Sequence, residues 1–288
     1  MTQALFGQLF LGLINGAFYA LLSLGLAVIF GLLDVVNFAH GAQYMMGAFA
    51  AWMGLTYLGV PYGWALLLAP LAVGLVGMAV ERTLLRRLQG LDPLYGLLLT
   101  FGLTLIAEGL FHHAYGNSGF AYPVPGWLRG GVNLGFMFLP LYRAWAVGLS
   151  LAVCLACWFV IERTKLGAYL RAGTENPKLL QAFGVNVPLM FTLTYGFGAA
   201  LAAFAGVVAA PVYQVTPLMG SSVIMVVFAV VVIGGMGSIG GAIVTGLGVG
   251  LLEGLTRFWY PPASSVVVFV VMALVLLVRP AGLFGRER

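Results

Sequence analysis

Long apolar stretches separated by short polar segments dominate the chain, and this pattern predicts its secondary structure. Most stretches approach or exceed the roughly 20 residues that an α-helix needs to cross the hydrocarbon core of a bilayer. The predicted spans lie at about residues 5–30, 41–58, 63–85, 94–115, 141–161, 188–210, 218–234, 240–257 and 263–279. We therefore expect an all-α, polytopic transmembrane helical bundle of about eight or nine spans, forming a single domain over residues 1–288.

The composition supports this class of protein. Of the 288 residues, 62% are hydrophobic and 7% are charged, whereas roughly a quarter of the residues of a soluble domain are charged. The first apolar stretch lacks a preceding basic segment and is longer than the apolar region of a signal peptide, so we interpret it as the first span. Cys154 and Cys157 lie inside an apolar run and are interpreted as small core residues, not as a redox or zinc motif.

The basic residues predict the orientation of the chain. The net charge is +5, but the arginines and lysines cluster at the ends of spans, which favours a topological role over a nucleic-acid partner. The clusters are Arg82, Arg86 and Arg87; Arg163, Lys165, Arg171 and Lys178; and Arg279, Arg286 and Arg288. Positive residues prefer the cytoplasmic side, and an outside N-terminus with alternating spans places all three clusters there. The prediction is N-out and C-in, with an external loop at about 116–140.

The segment ERTKLGAYLRAGTENPKLLQAFGVNVP, residues 162–188, is the most hydrophilic part of the chain. It predicts a short helix that is capped by Thr174 and ends near Gly184. A helix of two or three turns is marginal alone in water, so another surface must pack on it. Glu175 and Asn176 suit a groove on a protein partner better than anionic lipid, and the membrane interface is the alternative.

Uncharged polar residues near the first two spans are candidates for a transport path. Amide and imidazole groups can hydrogen-bond a passing zwitterion without trapping it by charge. The candidates are Asn15, Asn37, His40 and Gln43. Each of them could instead hydrogen-bond the backbone of a neighbouring helix.

Ionisable residues within apolar spans are also candidates, because each costs roughly 2.5–3.5 kcal/mol at mid-helix. The sequence places Asp34, Glu108, Glu253, His40, His112 and His113 in or beside such spans. Glu253 and Arg257, four residues apart, are interpreted as a structural pair near the outer membrane edge. Glu108 and the two neighbouring histidines lack a fourth convergent ligand, so no metal site is predicted.

Glycines at four-residue intervals predict close packing between helices, since lipid gives helices no hydrophobic reason to associate. The pairs are Gly237 with Gly241, Gly246 with Gly250, and Gly250 with Gly254. The alternative is that glycine is simply common in membrane helices. Adjacent glycines at 234–235 and 240–241 further predict a tight turn between the seventh and eighth spans.

Four motifs, in this order, resemble one family. They are DVVNFAHG after the first span, RAGTENPKLLQAFGVNV in the hydrophilic segment, FAVVVIGGMGSIGGAIVTGLGVGLLEGL, and RPAGLFG near the C-terminus. Together they are similar to the permease family of bacterial branched-chain amino-acid ABC importers, and closer to the shorter of its two paired permeases. The likeness extends over nearly the whole chain.

The resemblance implies that a cytoplasmic loop at about 163–187 docks on an ATPase. The residues implied in this coupling are Arg171, Glu175, Leu180, Phe183 and Gly184. The pattern departs from that of other importers, in which two alanines follow the glutamate. The implied partners are a second permease subunit, cytoplasmic ABC ATPases and an extracytoplasmic solute-binding protein, and the implied location is the bacterial plasma (inner) membrane.

The chain carries no nucleotide-binding motif of its own. A P-loop requires Gly-x-x-x-x-Gly-Lys-Ser/Thr, and neither Lys165 nor Lys178 follows such a glycine. We therefore expect a transport subunit that is not an enzyme and binds no cofactor, with ATP hydrolysis on a partner chain. The resemblance implies leucine, isoleucine and valine as substrates, ahead of urea, short amides and other amino acids. A self-contained secondary transporter or channel is the alternative.

Overall fold

The computed structural model describes residues 2–33, 36–88, 90–135 and 137–285, and it is built almost entirely of α-helices. The helices within these residues are α1 (Thr2–Leu33), α2 (Ala39–Leu58), α3 (Tyr62–Thr83), α4 (Pro93–Tyr115), α5 (Leu141–Arg163), α6 (Lys165–Glu175), α7 (Pro177–Ala182), α8 (Val187–Ala209), α9 (Met219–Gly234), α10 (Ile239–Trp259) and α11 (Val267–Val278). Strands β1 (Gly131–Asn133) and β2 (Phe138–Pro140) form a small antiparallel hairpin. Asp34, Arg286 and Arg288, named in the predictions above, lie outside the described residues.

The predicted all-α, polytopic class is confirmed, and each of the nine predicted spans overlaps a helix. In the described part of the chain, six helices are long and apolar enough to cross a membrane, namely α1, α3, α4, α5, α8 and α10. The apolar helices α9 and α11 have only 16 and 12 residues. α2 has 20 residues but includes His40 and Gln43 and is not among the six. The number of full spans and their orientation stay predictions.

Side-chain caps and prolines explain where several helices begin. The Asp92 carboxylate accepts a hydrogen bond from the backbone N–H of Leu94 at 2.9 Å, and Pro93 takes the first position of α4. Asn186 caps α8 by accepting a hydrogen bond from the backbone N–H of Leu189 at 3.1 Å. Such caps satisfy N–H groups that have no partner inside the helix, so short polar residues between apolar runs fix the boundaries.

Helix α7 begins later than the sequence predicts. α6 continues through Glu175, and Asn176 caps α7 by accepting a hydrogen bond from the N–H three residues further on, at 3.0 Å. The predicted cap at Thr174 is wrong, because its hydroxyl donates to the carbonyl oxygen three residues earlier, within α6, at 2.7 Å. Pro177 occupies the first turn of α7, and Gly184 follows its end with φ of +82°.

The bundle has a buried centre and an apolar exterior. In α1 and α8, 78% and 72% of the most apolar window is buried, whereas α3, α4 and α5 bury a third or less of theirs. The outward side chains of these three helices are largely leucine and other large apolar residues. A lipid bilayer is the environment in which such an exterior is stable, so the burial pattern agrees with the predicted class.

Helices α1 and α10 pack against each other with almost no side chain between them. A Cβ atom added to Gly250 would lie 2.4 Å from both the carbonyl oxygen of Gly12 and the Cα of Gly16, and one added to Gly246 would lie 2.6 Å from the backbone of Ala20. Residues later in α10 contact residues earlier in α1, so the two helices run antiparallel. We call this the α1–α10 contact.

Two more of the predicted glycines, Gly237 and Gly241, lie in and just after the turn that joins α9 to α10. Gly241 packs against Gly234 of α9, where an added Cβ would lie 2.3 Å from the Gly234 carbonyl oxygen. Gly237 lies in the turn between α9 and α10 with φ of +85°, and its Cα faces Gly31 of α1. This turn spans only residues 235–238, as the adjacent glycines predict, and positive φ at two of its glycines allows so short a connection.

Candidate functional site

A cavity of about 730 Å³ opens between α1, α2, α8 and α10, the starts of α5 and α9, and the segment that connects α8 to α9. Its size falls within the range of small-molecule sites. The segment 212–218 forms one wall and is held in place by the predicted external loop. Phe120 and Val215 exchange two backbone hydrogen bonds, of 3.0 and 2.9 Å. The cavity therefore lies at the same end of the bundle as that loop.

The charged groups of the cavity come from two helices. Glu253 and Arg257 of α10 form an ion pair, as the sequence predicts, and the Tyr19 hydroxyl of α1 donates a second hydrogen bond to the Glu253 carboxylate at 2.9 Å. Arg143, in the first turn of α5, is the third charged residue that lines the cavity. No ion-pair partner of Arg143 occurs among the residues that the structure describes.

Asn15 is the predicted path residue that lines this cavity. Its side-chain oxygen accepts a hydrogen bond from the Tyr213 hydroxyl at 3.2 Å, which joins α1 to the segment after α8. Part of the cavity wall is apolar and includes Leu22, Ala205 and Met219. The site thus combines charged and hydroxyl groups with a hydrocarbon surface.

The other three predicted path residues lie together, but not in the cavity wall. Asn37, His40 and Gln43 are buried where α2 meets α1 and α8. Asn37 donates to the Gln43 side chain at 3.5 Å, Gln43 donates to the Tyr195 hydroxyl at 3.4 Å, and a His40 ring nitrogen lies 2.9 Å from the Leu22 carbonyl oxygen. The His40 contact is a hydrogen bond to the backbone of a neighbouring helix, which the sequence left as the alternative, whereas Gln43 reaches a side chain of α8 and Asn37 a side chain six residues along. A role of the three residues in transport stays a prediction.

The predicted coupling residues cluster on α6, α7 and the turn after α7. Arg171 forms an ion pair with Glu162 at 3.5 Å and donates to the Ile161 carbonyl oxygen at 3.2 Å, which fastens α6 to the end of α5. Leu180 is buried, whereas the Phe183 side chain is 77% exposed. Glu175 is exposed at the end of α6. One side of the α6–α7 segment therefore packs on the rest of the chain, and the other side is apolar and exposed.

Two buried carboxylates lie outside the cavity. Glu108 accepts a hydrogen bond from the Ser221 hydroxyl, which links α4 to α9. Glu81 is almost completely buried near the end of α3 and accepts a hydrogen bond from the Thr192 hydroxyl of α8. Glu81 is not apparent as a buried group from the sequence, because a neighbouring arginine, Arg82, is typical of a solvated span end.

The helical bundle, its apolar exterior and a cavity lined by both polar and apolar groups are typical of a membrane transport protein. A family model described as "Branched-chain amino acid transport system / permease component" matches residues 8–276. The chain belongs to this family, and its multi-pass membrane location is confirmed. It is thereby a transport subunit, as its motifs predict.

Two relatives are similar to almost the whole chain. The high-affinity branched-chain amino acid transport system permease protein LivH of Escherichia coli strain K12 is 30% identical over 292 aligned residues, which cover 97% of this chain and 95% of LivH. The corresponding permease protein BraD of Pseudomonas aeruginosa is also 30% identical, with the same coverage. No solved structure matches the chain.

Proposed function

We propose that the chain is the membrane-spanning subunit of an ATP-driven importer in the plasma membrane. It forms the path for branched-chain or related amino acids, with the nine spans of the sequence prediction, the N-terminus outside and the C-terminus inside. In this orientation the cavity opens towards the outer face, and α6 and α7 lie in the cytoplasm. Family membership and the names of the relatives support the substrate class.

One observation carries the proposed coupling: the segment α6–α7 joins two helices whose far ends border the cavity. α5 begins beside Arg143 and runs directly into α6, and α8 begins just after α7 and ends before Val212 and Tyr213 of the cavity wall. A force applied to α6 and α7 acts on the near ends of both helices. Rigid helices transmit such a displacement over their whole length, so the cavity responds to a partner that never enters the membrane.

The free side of this segment supports docking on a protein. Phe183 and Leu179 are both more than half exposed, whereas Leu180 packs inward. Glu175 and Lys178 add charges of both signs at the edge of this apolar patch. The expected occupant is a cytoplasmic ABC ATPase, since the chain lacks a P-loop. A second permease and an extracytoplasmic solute-binding protein complete the proposed assembly.

The docking proposal is tested by replacing the exposed aromatic ring. F183A should reduce co-purification of the chain with its ATPase by about ten-fold, as expected when a central aromatic anchor of an interface is lost. F138A is the matched control, because Phe138 is a 62% exposed phenylalanine in the hairpin of the opposite loop. Equal retention of the ATPase by both variants would refute the assigned role.

Transport and orientation are tested separately. In proteoliposomes, labelled leucine should enter only when ATPase, binding protein and the second permease are present. Uptake by the chain alone would instead favour a secondary transporter. A membrane-impermeant maleimide should label K178C only after the membrane is opened and N133C in intact cells. The reverse pattern would overturn the N-out orientation.

A further inference from the structure

We infer that the cavity is a recognition site for the zwitterionic head of an α-amino acid, with Glu253 receiving the ammonium group and Arg143 the carboxylate. This inference rests on the proposed function and adds a selective step within the permease itself. In this proposal charged residues recognise the substrate, whereas the path residues predicted from the sequence are uncharged.

The first element is the Glu253 carboxylate. Its side chain is only 12% exposed, and its two oxygens accept hydrogen bonds from Tyr19 and Arg257, one on each oxygen. A carboxylate has about four acceptor positions, so one donor on each oxygen leaves capacity for an ammonium group. Tyr19 and Arg257 hold the carboxylate in place, which gives the cavity a fixed acceptor for an ammonium group.

The second element is the Arg143 guanidinium, which borders the same cavity and has no ion-pair partner in the described residues. A guanidinium offers five N–H donors in a fork that matches a carboxylate. Arg143 and Arg257 together outnumber Glu253, so the cavity carries one net positive charge. A ligand with no carboxylate is therefore disfavoured, whereas an amino acid presents one charge of each sign.

The third element is the apolar wall formed by Leu22, Ala205 and Met219. It offers hydrocarbon contact to a ligand side chain and no charged or amide partner. Since apolar pockets discriminate weakly between side chains that differ by one methylene, the wall should accept leucine, isoleucine and valine alike. Selectivity within the permease then falls on the common head group and on the apolar character of the side chain.

The test measures weak binding to the purified full-length chain in lipid nanodiscs by saturation-transfer difference NMR. The three probes are L-leucine, 4-methylpentanoate, which lacks the amine, and 3-methylbutylamine, which lacks the carboxylate. Loss of one charge-assisted hydrogen bond corresponds to roughly a ten-fold loss of affinity or more. We therefore expect leucine to bind at least about ten-fold more tightly than either analogue. Equal binding of all three probes would overturn the inference.

Two variants should each remove one part of the preference for leucine over its analogues. E253Q should remove the advantage of leucine over 4-methylpentanoate, and R143Q should remove its advantage over 3-methylbutylamine. E108Q and R129Q are the matched controls, since Glu108 and Arg129 do not line the cavity, and they should bind leucine like the unaltered chain. If both cavity variants keep the original order of the probes, the inference is wrong.

The result remains interpretable if one variant does not fold. R143Q removes no ion pair of the described residues and carries the test if E253Q fails to insert. The full importer separates this inference from the proposed function. Uptake by the complete system with unchanged half-saturation in both variants would reject the zwitterion site and keep the importer. Absence of uptake by the unaltered complete system, with leucine still bound by the chain, would reject the importer and keep the site.

Discussion

The α1–α10 contact gives the sharpest prediction about the bundle, because it depends on the absence of a single Cβ atom. G250A adds one methyl group at a position where the nearest atoms belong to the backbone of Gly12 and Gly16, at 2.4 Å. Ordinary van der Waals contact begins at 3.4 Å, so the added atom is about 1 Å too close. Backbone atoms cannot rotate away as a side chain would, and the two helices must separate.

The loss in free energy of unfolding follows from that separation of the two helices. A gap of 0.5–1 Å forfeits roughly a quarter to a half of each dispersion contact along the interface, and overpacking of this kind costs about 1–3 kcal/mol. Alanine also favours the helix over glycine, by about 0.5–1 kcal/mol. G248A isolates this second contribution, since Gly248 lies on the same helix with no atom near its added Cβ. G250A should thus be about 1–3 kcal/mol less stable than G248A.

Unfolding of both purified variants in mixed micelles with increasing sodium dodecyl sulfate, followed by circular dichroism, measures this difference. The comparison cancels the helix propensity of alanine because both substitutions are the same. A difference below about 0.5 kcal/mol, which is ordinary for exposed sites, would mean that α1 and α10 are not in backbone contact.

Three further substitutions test other contacts. Y142F removes a buried hydroxyl that donates to the Val208 carbonyl oxygen at 2.7 Å, and it should cost about 1–3 kcal/mol in the same unfolding assay. N176A removes the cap of α7 and should lower ATPase-coupled uptake without changing insertion, since a lost cap costs about 1 kcal/mol. T192V leaves the buried Glu81 carboxylate without its hydroxyl donor and should destabilise the chain by about 1–3 kcal/mol, again by micelle unfolding. Retention of unaltered stability or uptake by any one of them contradicts the contact concerned.

The helices could be predicted closely because their boundaries are local. The prediction of 188–210 for the sixth span compares with α8 at Val187–Ala209, where Asn186 supplies the cap. Where two residues that could cap a helix lie close together, the local sequence does not decide between them. Thr174 and Asn176 are both good capping residues, and only the continuation of α6 decides in favour of Asn176.

The cavity could be predicted only in part, because its residues are distant in the sequence. Tyr19 and Glu253 are 234 positions apart, and no periodicity relates them. Asn15 was accessible to prediction as an isolated amide in an apolar run. Tyr19 was not, since tyrosine is common in membrane helices. Glu253 was correctly paired with Arg257, but an ion pair within one helix already accounts for a carboxylate in a span, so the pattern did not point to a ligand.

The charged residues of the cavity lie on two parts of the bundle, of which one continues into the proposed docking segment. Glu253, Arg257 and Tyr19 belong to α10 and α1, which backbone contact holds together. Arg143 belongs to α5, which continues into α6. If a partner displaces α6, we expect the distance between Arg143 and Glu253 to change, because Arg143 lies on the helix that continues into α6 and Glu253 does not. A zwitterion needs both groups at a fixed separation, so the same displacement that opens the path would also weaken the site and release the substrate.

The proposed coupling and the proposed recognition thus depend on the same distance between α5 and α10. A disulfide that locked α5 to α1 should therefore stop uptake while leaving leucine bound.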